Sequence, residues 1–140
     1  MSPGENTVED HLGVGCWFAA LANLTRLELG DNLFASQALP VEIGTMIGLT
    51  VLDLSGNAFT GTIPTEYLGL TALSRLELDS NDFAGAIPAG FNAATFPNMA
   101  GVPGSLLLRG QSGCLTATGG SAEEAFVVAQ DPLWNDGCTP

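Results

Sequence analysis

The stretch at residues 49–78, LTVLDLSGNAFTGTIPTEYLGLTALSRLEL, holds one complete phrase and the start of its next copy. Leu49-x-x-Leu52-x-Leu54-x-x-Asn57 returns 24 residues later as Leu73-x-x-Leu76-x-Leu78-x-x-Asn81, and stands upstream as Leu24-x-x-Leu27-x-Leu29-x-x-Asn32. Phe34, Phe59 and Phe83 each follow their Asn by two positions, and Pro40, Pro64 and Pro88 keep the same phase. A fixed period of this length is the mark of a stacked-repeat architecture, so it governs the fold reading before any local propensity does.

Each position in the phrase has a physical role. In Leu-x-Leu the side chains alternate across an extended strand, so the leucines face one way and the intervening residues the other. Stacked units then build a parallel sheet. The Asn closing each strand carries both an amide donor and an acceptor, able to satisfy backbone groups freed where the chain turns. Gly61 and Gly85 bend the chain and Pro sets φ for the return. After each Pro come further apolar positions, Ile43 and Met46, then Tyr67 and Leu70, then Phe91. Upstream, Phe18 and Leu21 keep the phase as a half unit. Downstream, Leu106, Leu108 and Gln111 stand where Leu76, Leu78 and Asn81 stood, after an insertion. Leu-rich amphipathic helices are the competing reading, but Gly, Pro and Asn recur inside every unit and oppose a helical period.

Composition narrows the function. The 140 residues carry 3 basic and 15 acidic side chains, a formal charge of −12 that repels phosphate backbones, so nucleic acid is excluded as an expected partner. Apolar runs such as residues 15–22 and 126–129 are far shorter than the roughly 20 residues of a membrane helix. The first ten residues are polar and acidic and do not read as a secretory leader; a secreted form would have lost its leader by processing. There is no G-x-S-x-G, C-x-x-C or phosphate-loop pattern, and the lone His11 reads as a surface or cap residue. The chain is therefore expected to be no enzyme, with no cofactor and no metal site.

The combined spacing of Leu, Asn, Gly and Ile-Pro over residues 18–111 resembles the plant-type extracellular leucine-rich repeat. That resemblance implies an α/β solenoid: a short right-handed arc with a concave parallel β-sheet and a convex side of 3₁₀ turns and loops. It divides the chain into an N-terminal cap and half repeat at 1–23, three repeats at 24–104, and a degenerate last repeat with C-terminal cap at 105–140. Ser36, Ala38-Leu39 and Leu68 depart from the pattern on the outer face. The segment 113–138 opens and closes with cysteine and resembles the family's cysteine-paired cap, implying a Cys114–Cys138 disulfide. Ser121-x-x-Glu124 is a capping box that starts a helix through about Ala129. Ala125, Phe126, Ala129 and Trp134 are expected to cover the last strand. Residues 11–16, HLGVGC, are similar to the N-terminal cap motif without its earlier cysteine, which leaves Cys16 as a buried thiol.

Function is then expected on the exposed strand positions. These form three columns: Arg26, Val51, Arg75 and Ser105; Glu28, Asp53, Glu77 and Leu107; Gly30, Ser55, Asp79 and Arg109. Every basic residue of the chain lies in them, and the arginines are expected to offset the acidic ladder diagonally. The expected activity is non-catalytic recognition of a protein, peptide or glycan by Arg26, Glu28, Asp53, Arg75, Glu77, Asp79 and Arg109. The alternative is a structural or assembly subunit that uses the caps or convex face. Asn23-Leu24-Thr25 is an N-glycosylation sequon. The resemblance implies a secreted or extracellular setting, with a subunit of an organellar or membrane-associated complex as the alternative.

Overall fold

The computed structural model describes residues 21, 23–34, 36–117 and 121–134. Short parallel strands stack into an arc. Strands β1 (Arg26–Glu28), β3 (Val51–Asp53), β5 (Arg75–Glu77) and β8 (Leu106–Leu107) form a four-stranded sheet in that order. Leu27, Leu52, Leu76 and Leu106 lie in register across it. The leucines of each phrase point inward: Leu49, Leu52, Leu54, Leu73, Leu76, Leu78, Leu106 and Leu108 are buried. Each such burial contributes about 1.5–3 kcal/mol relative to exposure, and no single unit has a partner layer to supply it.

The outer wall follows from the residues after each proline. Pro40 and Pro64 stand at the starts of 3₁₀ turns, Val41–Thr45 and Thr65–Gly69, and send Ile43, Met46, Tyr67 and Leu70 into the core. The Tyr67 hydroxyl donates to the carbonyl of Pro40 at 3.1 Å. Burial, with the charge of Glu42 adding to it, pushes its pKa far above the ordinary tyrosine range, so it stays a donor. In the third unit the return is longer. Phe91 and Phe96 pack at 4.7 Å between ring centres, and Phe96 stacks in turn on Phe126 of the cap.

A second set of pairings was not anticipated. Strands β2 (Gln37–Ala38), β4 (Phe59–Gly61) and β6 (Asp82–Phe83) form a lateral three-stranded sheet, and β7 (Gly85–Ala86) pairs with β9 (Leu115–Thr116). Gly61 and Gly85, expected only to bend the chain, do so with φ of 80° and 92° while also closing these pairs.

The amide side chains run between units. Asn57 Nδ2 donates to carbonyls of Leu29, Leu54 and Ser55, and Asn81 Nδ2 to those of Leu54, Leu78 and Asp79. Their oxygens accept from the backbone N–H of Phe34 and Phe59 in the preceding unit. Gln111 does the same for Leu78, Leu108 and Phe83 with its longer side chain. One amide thus ties two units together.

The C-terminal cap is helix α1 (Ala122–Gln130), whose Ser121 side chain accepts from Glu124 N–H at 3.1 Å. Its covering face differs from the expected one. Phe126, Val127 and Gln130 are buried with Trp134, whereas Ala125 and Ala129 face an open groove. Cys114 precedes β9; its expected partner Cys138, together with His11, Cys16 and Phe18, lies outside the described residues.

Two neighbouring residues should respond oppositely to substitution. Asn81 is 2% exposed, and Asn81→Ala removes four hydrogen bonds and orphans buried groups, so stability should fall by about 3 kcal/mol. Ser80 holds a left-handed φ of 58°, so Ser80→Gly should raise stability by about 0.5 kcal/mol. Urea unfolding of both variants checks the pair.

Candidate functional site

The face of the four-stranded sheet away from the core carries the predicted columns in the predicted register. Arg26 pairs with Val51 and Val51 with Arg75, while Glu28 pairs with Asp53, Asp53 with Glu77 and Glu77 with Leu107. Gly30, Ser55, Asp79 and Arg109 follow where the strands end, tied by Asp31 N–H to Ser55 O, Gly56 N–H to Asp79 O and Ser80 N–H to Arg109 O.

The ion pairing departs from the diagonal arrangement. Arg26 hydrogen-bonds Glu28, and Arg75 hydrogen-bonds Glu77, each along its own strand. Residues i and i+2 of one strand share a face, so the partner is already beside the guanidinium and no reach across strands is needed. The two pairs differ in setting: the Glu28 side chain is 55% exposed and the Glu77 side chain 12%. Arg109 instead turns towards the cap, its Nε 3.8 Å from Asp131 Oδ1.

The face is also narrower than the columns suggested. Ser105 is buried, and its hydroxyl donates to the carbonyl of Met99. Val51 is largely covered. The middle of the face therefore belongs to Asp53 and Asp79. Asp53 Oδ1 accepts from Ser55 N–H at 3.0 Å and from its hydroxyl at 2.6 Å. A methyl built on Gly30 would lie 2.8 Å from Asp53 Oδ2, so the carboxylate lies over that glycine and uses the space its missing side chain leaves. Burial raises the Asp79 carboxyl above its ordinary value of 3.8, and Asp53 adds to the rise; hydrogen bonds and the charge of Arg109 oppose it.

Asp131 is the residue that sequence reasoning missed. It is 1% exposed, and its Oδ2 accepts from Leu108 and Arg109 N–H at 2.8 and 3.0 Å, taking the place of a next strand's carbonyl. The Asp-Pro step at 131–132 signals a helix end, but nothing local signals contact with β8. Asn23 is exposed in the turn before β1. Among the described residues no group of three or more metal-ligating side chains occurs, and no helix is long and apolar enough to cross a membrane.

Comparison with known proteins agrees with this geometry. The Leucine Rich Repeat family profile matches residues 48–70. Receptor-like protein 39 of Arabidopsis thaliana is 48% identical over 44 residues, which is 31% of this chain and 5% of that protein. The ectodomain of the Arabidopsis plant membrane receptor kinase GASSHO1/SCHENGEN3, solved with CASPARIAN STRIP INTEGRITY FACTOR 2, superposes with a TM-score of 0.57 at 34% identity, covering 71% of this chain and 11% of that one. The plant peptide hormone receptor RGFR1, solved with RGF2, gives 0.52 at 31% identity over 74% of this chain and 15% of that one.

The raised pKa of Asp79 makes a signed prediction. The folded chain holds this proton more tightly than the unfolded chain, so the group favours folding at low pH and loses that contribution as pH rises through its folded pKa. Asp79→Asn should therefore melt above the parent at neutral pH. The difference should shrink as pH falls below the ordinary value of 3.8, followed by thermal unfolding across pH.

Proposed function

We propose that this chain, whose repeats are leucine-rich repeats of the plant extracellular type, is a recognition module that binds a protein or peptide through its concave sheet. One observation carries the reading: four strands in register present Arg26, Glu28 and Arg75, exposed, and Asp53 and Glu77, half-buried, on the face away from the leucine core. The binding set is Arg26, Glu28, Asp53, Arg75, Glu77, Asp79 and Arg109, with a glycan as a further ligand class for the same polar surface. Peptide-bound relatives support it, since the similar ectodomain structures include complexes with CASPARIAN STRIP INTEGRITY FACTOR 2 and RGF2. The chain spans about a twentieth of the length of the curated relatives it matches.

The same reading places the module outside the cell, with an N-terminal cap and half repeat at 1–23, repeats at 24–104 and a closing unit and cap at 105–140. A Cys114–Cys138 bridge belongs to the same reading, in keeping with the cysteine-paired cap that residues 113–138 resemble. Closing that loop contributes roughly 3 kcal/mol in the chain-entropy model. The exposed turn at Asn23 supports glycosylation there. Expression in a secretory eukaryotic host should yield a mass increment removable by N-glycosidase and absent from Asn23→Gln.

The alternative, assembly through the cap or convex side, is favoured by a groove of about 610 Å³ lined by Ala93, Ala94, Ala125 and Ala129. Selection of a random peptide display library on the immobilised protein separates the two. For the concave reading, Arg75→Ala with Glu77→Ala should weaken the selected peptides about tenfold, while Ala125→Gln in the groove leaves them unchanged. The reverse pattern would move the binding site to the cap.

A further inference from the structure

All three arginines of the chain are committed to carboxylates: Arg26 to Glu28, Arg75 to Glu77 and Arg109 to Asp131. With no lysine in the sequence, these pairs leave the concave face without a spare cation. They leave two anions with no arginine of their own: Asp53 at the end of β3, and Asp79 diagonal to it, two residues beyond its register partner Glu77, where the charge of Arg109 that reaches Asp79 is shared with Asp131. Neither accepts a hydrogen bond from a guanidinium among the described residues; their partners are the hydroxyls of Ser55 and Ser80.

The surroundings favour a cation from outside. β1 and β5 neutralise themselves along their own length, so the negative potential concentrates over β3 and the end of β5. Gly30 offers no side chain to cover Asp53 from the flank. Asp79 is half-buried, and a carboxylate withdrawn from water gains more from a nearby positive charge than a solvated one does. The chain as a whole carries −12, a field that draws cationic ligands in and turns anionic ones away.

From this charge complementarity we propose that the concave face selects a basic segment of its partner, an extended peptide that seats a guanidinium or ammonium side chain between Asp53 and Asp79. The proposal rests on the concave sheet being the binding face. Asp53 and Asp79 then supply the charge, Ser55 and Ser80 flank it with hydroxyl acceptors, and the self-paired arginines exclude neighbouring cations of the ligand from β1 and β5.

Net charge alone could hold any basic peptide, so the test compares two variants of equal charge. Peptides from the display selection, run at physiological salt, should be enriched in Arg and Lys. Their synthetic copies should bind Asp53→Asn/Asp79→Asn about tenfold more weakly than the parent, yet bind the convex pair Glu42→Gln/Glu66→Gln within about twofold. Equal losses on both variants would reduce the effect to net charge and overturn the proposal. So would enriched peptides without basic residues, or a selection that enriches nothing. Peptides weakened by Arg75→Ala/Glu77→Ala but indifferent to Asp53→Asn/Asp79→Asn would leave the concave face standing and remove its preference for a cation. Indifference to both pairs would remove both. Circular dichroism and urea unfolding of each variant confirm that it remains folded.

Discussion

The side-chain amide at the end of each inner strand is the interaction on which the rest depends. A strand of three residues cannot hold a sheet by its own ladder, and every unit turns sharply out of the strand, stripping partners from its last carbonyls. Asn57 and Asn81 meet those carbonyls in two units at once and return an acceptor to the unit before. The buried leucines supply most of the favourable free energy, but they are non-directional. It is the amides that fix how far one unit may slide on the next. Gln111 shows that chemistry rather than residue identity is required, since its extra methylene still delivers the amide to Leu78 and Leu108.

A stack held this way has a problem at its end, because the last strand has no following unit. Asp131 and Gln130 solve it with groups from a helix. The Asp131 carboxylate accepts from Leu108 and Arg109, and the Gln130 carbonyl accepts from Gly104. Glu123 adds a link to Gly90 N–H at 2.8 Å, a bond that holds its carboxyl below the usual glutamate range. Phe126, Val127 and Trp134 then cover the apolar end. The edge that would invite pairing with another chain is thereby closed by hydrogen bonding as well as by bulk.

This division explains what could be read in advance. The inner strands, their register and the prolines of the outer turns follow from positions that repeat, and repetition separates signal from accident: three copies of Leu-x-Leu leave no second reading. The lateral sheet was invisible because β2, β6, β7 and β9 are two residues long, too short to show an alternation, and Ala38, Asp82, Gly85 and Ala86 among them have weak strand preference. The cap helix was legible from Ser121 and Glu124, but its buried face was not, since two alanines and two larger apolar residues offered rival stripes. Volume decided: Phe126 and Val127 fill a space that Ala125 and Ala129 cannot. Asp131 could not be found at all from a local pattern, because its partners lie 22 and 23 residues away.

The candidate face divides along the same line. Register placed Arg26, Asp53, Arg75 and Asp79 correctly, because alternation alone sets which residues share a side. Their pairing needed geometry. A repeated arginine invites a reading as a repeated ligand contact, yet each sits beside the glutamate two positions on and is held there. An exposed pair of this kind contributes little to stability, so its effect is chiefly on the charge the face displays. Val51 breaks the series on β3 by putting an apolar residue where an arginine would stand, and that one change leaves Asp53 unneutralised between two self-satisfied strands. The distinctive unit of the face is therefore the one that departs from the repeated phrase. In a repeat protein the conserved pattern within the chain specifies the scaffold, and the positions free to vary carry whatever distinguishes one binding face from another.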